Sequence, residues 1–313
     1  MTSAVNKPSD YTSEEISPPH QQNFKRIIHR TLKGNIPWVV LIVLLNLVFF
    51  GDALFTDKTF FYRDVSFFAY PLRKLVTEAY SRGEWPLWNP YIQLGQPLLA
   101  NPNAMALYPT QVLFHLLPFH LAFKLHFVIH STLAGIAFFY LSRELGISVF
   151  SAFMAAVIYN FSGVNLSFVN LYLILPAVPF LPLLSFSLLR FLKAPSILKI
   201  AWNSLLVGCF LLLIEPLCTL GVAFFVVPFL ILGLFCIPDL RSTRRTAIPL
   251  LAVVLSLALL LVCIQMLPTL EMVQKSGRKG GMDFQVITYW SMHPISLLQL
   301  IFPRVFGDNF KLV

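Results

Sequence analysis

Seven apolar runs, each about twenty residues long and most separated by short gaps, constrain this chain more than any other feature. They cover 36–52, 121–141, 149–169, 171–192, 200–216, 217–237 and 248–267. A hydrocarbon core about 30 Å thick is crossed by about 20 apolar residues in a helix. The alternative, a soluble domain, requires a charged surface, and soluble domains are about 25% charged. Only 12% of this chain is charged, and 57% is hydrophobic. The expected fold is therefore all-α, a polytopic transmembrane bundle of about seven spans joined by tight turns.

The formal net charge is +9. Lys and Arg sit in gaps between apolar runs rather than on one soluble face, which argues against a nucleic-acid partner and for a topological signal. Arg143, then Arg190, Lys193 and Lys199, then Arg241, Arg244 and Arg245 occupy alternate gaps. The intervening turns near 161–171 and 215–219 contain neither residue type. Cytoplasmic loops carry the basic excess, so the N-terminus is expected in the cytosol. Residues 1–35 then form a disordered cytosolic tail, 36–267 a transmembrane module, and 53–120 and 268–313 outer segments. Cys209, Cys218, Cys236 and Cys263 lie in or beside apolar runs without metal-ligand spacing, as small buried side chains do.

The long first outer loop, 53–120, holds most of the residues capable of chemistry. From Tyr70-Pro71, the residues Leu72, Leu75, Val76, Ala79 and Tyr80 recur at helical spacing. Arg73, Lys74, Thr77, Glu78 and Ser81 take the opposite face. This pattern predicts an amphipathic helix on the outer membrane surface, ending at Gly83. A second is predicted from Pro109 to Leu117. Between them, Trp85, Trp88 and Tyr91 suit an ordered loop at headgroup level. Pro176, Pro179 and Pro182 in the fourth run predict irregular backbone, which either serves helix packing or lines a cavity.

Asp64, just outside the first span, is the leading candidate for chemistry. A carboxylate there suits a general base on an acceptor hydroxyl, and equally a divalent metal ion. The competing reading is an interfacial ion pair with Arg63. Arg63, Arg73 and Lys74 suit a lipid phosphate or pyrophosphate. Glu215, at the outer end of the fifth run, either binds substrate or caps a turn. Glu271 precedes a glycine-rich basic loop with Lys275, Arg278 and Lys279. His126 and His130 stand four apart on one helix, but without the Glu of a zinc-protease helix they read as structural. No phosphate-binding glycine loop, dinucleotide motif or nucleophile elbow is present.

Arg63-Asp64, Tyr70-Pro71, Pro86-Leu-Trp-Asn-Pro-Tyr91, Gly95, Pro97, Ala100-Asn-Pro102 and Tyr108-Pro109 together resemble the first outer loop of YfhO-type bacterial membrane proteins. The resemblance continues through Phe161-Ser-Gly163, Glu215-Pro216, Gln265-Met-Leu-Pro-Thr-Leu-Glu271, His293-Pro294 and Pro303-Arg-Val-Phe-Gly-Asp308. That family is in turn similar to glycosyltransferases of the GT-C class. The resemblance implies a GT-C-like module and sugar transfer from a polyprenyl-phosphate-linked donor to a glycan, lipid or protein acceptor. The reaction would occur on the outer face of the bacterial cytoplasmic membrane. It implies a catalytic role for Asp64. Trp88, Asn89, Tyr91 and Asn101, with Glu215 and Glu271, join the three basic residues as the expected substrate-binding set. Family members are longer, so 268–313 is expected to begin a further outer part, and both an active enzyme and an inactive fragment stay open. A lipid-linked glycan transporter of flippase type and a non-catalytic assembly subunit remain alternatives.

Overall fold

The computed structural model describes residues 19–62, 64–213, 216–281, 283–288, 291, 294–300, 302 and 305. Among these, helices dominate, and one strand pair of two residues each is present. The first helix, α1 (Pro19–Phe49), begins inside the stretch expected to be a disordered tail. After it come α2 (Gly51–Phe55), α3 (Tyr70–Ser81), β1 (Trp88–Asn89), β2 (Gln96–Pro97), α4 (Gln111–Leu116) and α5 (Phe119–Glu144). Then follow α6 (Val149–Asn160), α7 (Gly163–Phe168), α8 (Phe180–Lys193), α9 (Ile197–Leu211), α10 (Pro216–Cys236), α11 (Arg244–Gln274) and α12 (Phe284–Thr288).

Among the described residues, four helical segments are long and apolar enough to cross a membrane: Phe119–Glu144, Leu175–Lys193, Thr219–Cys236 and Arg244–Gln274. The apolar segments Gly34–Phe49, Val149–Asn160 and Ile197–Leu211 are shorter. The expected third span, 149–169, is broken: α6 ends at Asn160 with Phe161 as its C-cap, and Ser162 caps the next helix by accepting the Asn165 amide. The prolines of the expected fourth span sit at its start rather than kinking its middle. Pro176 and Pro179 occupy a 3₁₀ turn (Leu175–Ala177) and the residue before α8, where a missing N–H is tolerated. Serine caps also open α6 (Ser148) and α9 (Ser196).

The α5 helix and the 175–193 segment are central, with 61% and 78% of their apolar windows buried. The α10 and α11 helices are peripheral, at 17% and 22%. They turn Leu220, Phe224, Phe225, Phe235 and Leu260 outward, a surface suited to lipid. The α5 helix packs on α1, α6 and α8, while α9 packs on α8 and α11. Phe123, Phe127, Tyr172, Leu189 and Phe191 form the centre of the largest core.

A buried polar clamp joins α1, α5 and α6. The Ser131 hydroxyl donates to Asn46 Oδ1 at 2.8 Å, and Asn160 Nδ2 donates to the same oxygen at 3.1 Å. Asn46 Nδ2 in turn donates to the Ile42 carbonyl. Gly135 stands beside this clamp, with Ile42 and Asn160 too near for any larger residue to enter without a shift. A polar group in an apolar bundle costs free energy unless it is bonded, and here the three side chains bond one another.

The two ends of the bundle differ in chemistry. At one end, Glu144 pairs with Lys193 at 2.8 Å and faces Arg190 at 3.7 Å, and Arg244 bonds the Leu234 and Phe235 carbonyls. At the other end, the segment 53–120 meets the 161–178 connection and the last turns of α11. Phe49 packs on Phe161, Tyr172 stacks on Phe123, and Thr269 bonds the Ala100 carbonyl.

Candidate functional site

Asp64 opens a continuous helical stretch. A wide turn, Val65–Ala69, with the Tyr70 N–H bonded to the Val65 carbonyl, leads directly into α3. Pro71 accounts for the widening: it has no N–H, and its ring crowds the carbonyl four residues earlier. Val65 and Ala69 are buried and anchor the turn in the same core as Tyr172, Leu175 and Ala177. The Asp64 side chain is exposed, and no ion pair or side-chain hydrogen bond engages it among the described residues. Its place at the N-terminal end of a helix suits a carboxylate. The neighbouring Tyr70 hydroxyl lies 3.4 Å from His120 Nδ1.

Arg73 departs from expectation. The periodicity assigned it to the exposed face of α3, but it is fully buried. The segment 98–106 packs on Leu72 and Val76, and Ala104, Met105 and Phe114 enclose Arg73 at the edge of the polar face, while Lys74, Glu78 and Ser81 stay exposed. Arg73 Nη1 donates to the Met105 carbonyl at 2.7 Å and the Ala104 carbonyl at 3.3 Å. Its guanidinium sits 4.4 Å from the Phe114 ring centre. Burial works against its charge, and the phenols of Tyr172, Tyr80 and Tyr108 partly offset this. Burial also raises the Tyr80 and Tyr108 phenols above their ordinary range. A residue so enclosed is not presented to a lipid head. Lys74 remains exposed and pairs loosely with Glu78 at 4.0 Å. Arg82 bonds Glu84 rather than the Glu78 that helical spacing offers.

The Trp88–Asn89 and Gln96–Pro97 strands make a small antiparallel hairpin. Gly95 has φ +111° and lies flat against the Trp88 ring; a Cβ there would fall 2.3 Å from Cζ2. Tyr91 and Trp88 are exposed. Asn89 is buried, and its Oδ1 accepts the Tyr91 amide. Asn101 Oδ1 accepts the Asn103 amide and caps the 3₁₀ turn Pro102–Ala104. These two asparagines shape the backbone. Glu271 is exposed and bonds Lys275. Arg63 and Glu215 lie outside the described residues.

His126 and His130 are structural, as the missing Glu suggests. His130 Nε2 lies 2.9 Å from the Tyr108 hydroxyl and its Nδ1 2.6 Å from the His126 carbonyl; His126 Nδ1 lies 3.0 Å from the Thr110 hydroxyl. Among the described residues, no three His, Cys, Asp or Glu gather as a metal site.

At the same end of the bundle is a groove of about 470 Å³, within the roughly 300–1,000 Å³ typical of ligand sites. The irregular 162–178 backbone forms one wall and Gly221, Val222 and Phe225 of α10 the other. Tyr159, Ser162 and Asn165 supply its few polar groups. Tyr159 donates to the Val178 carbonyl at 2.9 Å, and Asn165 Nδ2 donates to the Tyr159 carbonyl. The three prolines left helix packing and a cavity wall open as readings; none of them lines the groove, although their neighbours Ala177, Val178 and Leu181 do. Lys124, buried near the start of α5, was also missed; it bonds the Thr56 carbonyl at 2.8 Å and fixes the loop that leads to Asp64. No known family model, curated protein or solved structure matches the chain.

Proposed function

We propose that the chain is a membrane glycosyltransferase of the GT-C type, moving a sugar from a polyprenyl-phosphate-linked donor to an acceptor at the outer face of the cytoplasmic membrane. One observation carries this reading: an exposed carboxylate, Asp64, with no ion-pair partner among the described residues, shares an end of the helical bundle with an apolar groove. The groove suits an isoprenoid chain, and the carboxylate suits an acceptor hydroxyl. In this reading all seven apolar segments cross the bilayer, the short α6 being completed by α7, and the basic end faces the cytosol.

The chemistry follows from these roles. Asp64 takes the proton of the acceptor hydroxyl as its oxygen attacks the anomeric carbon. The bond from that carbon to the phosphate oxygen breaks, and the polyprenyl phosphate leaves with the electron pair. Among the described residues, exposed Lys74, Lys275, Arg278 and Lys279 are cations suited to the leaving phosphate. Arg73 is not among them.

A lateral groove beside irregular backbone also suits a lipid-linked glycan transporter. Against that, Asn46, Ser131 and Asn160 bond one another instead of lining a path through the bundle. The deciding experiment measures transfer of labelled sugar from a polyprenyl-phosphate donor in membranes containing the chain, with Asp64→Asn alongside. Transfer that the substitution leaves unchanged removes Asp64 from the reaction. Labelling of Arg82→Cys from the cytosolic side alone overturns the orientation.

A further inference from the structure

Most of the buried side-chain polar atoms without a hydrogen-bond partner, among the described residues, belong to Arg73, Tyr172, Gln111 and His126. They sit close together. Tyr172 is the phenol that acts most strongly on the Arg73 charge, and it stacks on His126 at 4.1 Å. Gln111 lies one turn before Phe114 on the buried face of α4, and Phe114 covers the Arg73 guanidinium.

The Arg73 contacts are one-sided. Nη1 is satisfied by two carbonyls, and the ring of Phe114 covers one plane. Nε and Nη2, which form the side-on fork of the guanidinium, have no partner at good hydrogen-bond geometry, and the Tyr172 phenol stands close enough to favour the charge without closing such a bond. No carboxylate of the described residues pairs with it. Arginine does not shed its proton in proteins, and an uncompensated buried charge is among the least tolerated features of a fold. A water molecule would satisfy a donor but would not neutralise the charge. The fork matches two oxygens of one oxyanion, and the Tyr172 hydroxyl and the Gln111 amide add neutral donors beside it.

We propose that Arg73, Tyr172 and Gln111 hold an occluded oxyanion of the phosphate class, which locks the 98–106 segment and α4 onto α3. Full burial of Arg73 favours a free ion over a lipid headgroup. The site is separate from the groove and does not depend on the glycosyltransferase reading.

The test is thermal unfolding of the purified full chain in nanodiscs of neutral lipid. Inorganic phosphate is titrated at constant ionic strength set by a bulky sulfonate salt. A saturable rise in Tm is expected. Tyr172→Phe, which keeps the charge and the ring, raises the half-saturating phosphate concentration about tenfold, and Arg73→Gln abolishes the response if it folds. An unsaturable rise that is equal in wild type and Tyr172→Phe is the general salting effect of phosphate and overturns the proposal. So does a flat response. Stabilisation by phosphatidic acid in the nanodisc but not by inorganic phosphate assigns the fork to a lipid headgroup and overturns the occluded ion.

Discussion

The Thr269 hydroxyl donates to the Ala100 carbonyl at 2.8 Å, joining residues 169 positions apart in the chain. Gln265, one turn earlier on α11, donates to the Leu99 carbonyl. Two polar side chains on a mostly apolar helix thus hold the first loop against the last long helix.

Thr269→Val removes the donor at nearly constant volume. The buried Ala100 carbonyl then lacks a partner, a loss of about 1–3 kcal/mol. The expected outcome is faster amide hydrogen exchange across 98–106, with α9 and α5 unchanged. Uniform exchange in wild type and variant would show that the tie does not hold the loop.

Gly95→Ala disrupts the hairpin. At φ +111° a Cβ is strained, and here it would also meet the Trp88 ring at 2.3 Å. Backbone strain of this kind is worth about 1–3 kcal/mol. Trp88 must swing away, so its fluorescence should shift and the 84–98 segment should become protease-sensitive. Gly83, with φ +73° but open space around it, should tolerate Asn.

The sequence made the long apolar helices and α3 legible because both rest on local periodicity. The apolar runs place α5, α8, α10 and α11, and the i, i+3, i+4 spacing places Tyr70–Ser81. Hydropathy did not register the break after Asn160, since 163–169 stays mostly apolar; the Ser162–Asn165 cap was the available signal. The burial of Arg73 was not legible at all. It depends on residues 98–114 folding over α3, a contact that the helical pattern of 70–81 does not encode. Asp64 was located by position, but its exposure beside the buried Val65 could be seen only in the folded chain.

Asn160→Leu tests the clamp among α1, α5 and α6. Hydrogen bonds between membrane helices average about 0.6 kcal/mol and reach about 1.7. Asn160 Nδ2 bonds Asn46, and its Oδ1 accepts from Ser131 at 3.3 Å, so a loss of about 1–2 kcal/mol is expected in a reversible unfolding assay. Asn46→Leu combined with Asn160→Leu should be less damaging than the sum of the two, because the second change removes a partner already lost.

Asp64→Asn separates chemistry from folding. The side chain is exposed and has no ion-pair partner among the described residues, so Tm should not move. Loss of a general base lowers turnover by about 10²–10⁴-fold. Asp52→Asn is the control: Asp52 is engaged by Lys58 at 2.8 Å on the surface, and its removal should leave transfer intact. Equal losses in the two variants would argue against a special role for Asp64.

Gly221→Phe blocks the groove without disturbing the core. Gly221 lines the cavity on α10, and no atom lies within 4 Å of where its Cβ would stand. Replacing a helical glycine also removes its entropic penalty, about 1 kcal/mol relative to alanine, so folding should be retained or improved. The added ring occupies space that the donor's isoprenoid chain needs. The expected result is a rise of about tenfold or more in KM for the polyprenyl donor, equivalent to about 1.4 kcal/mol of lost binding, with kcat little changed. A donor with a much shortened chain should be affected less, because it fills less of the groove. If long and short donors respond alike, the lipid lies elsewhere, and the pairing of groove with Asp64 no longer supports a lipid-linked substrate.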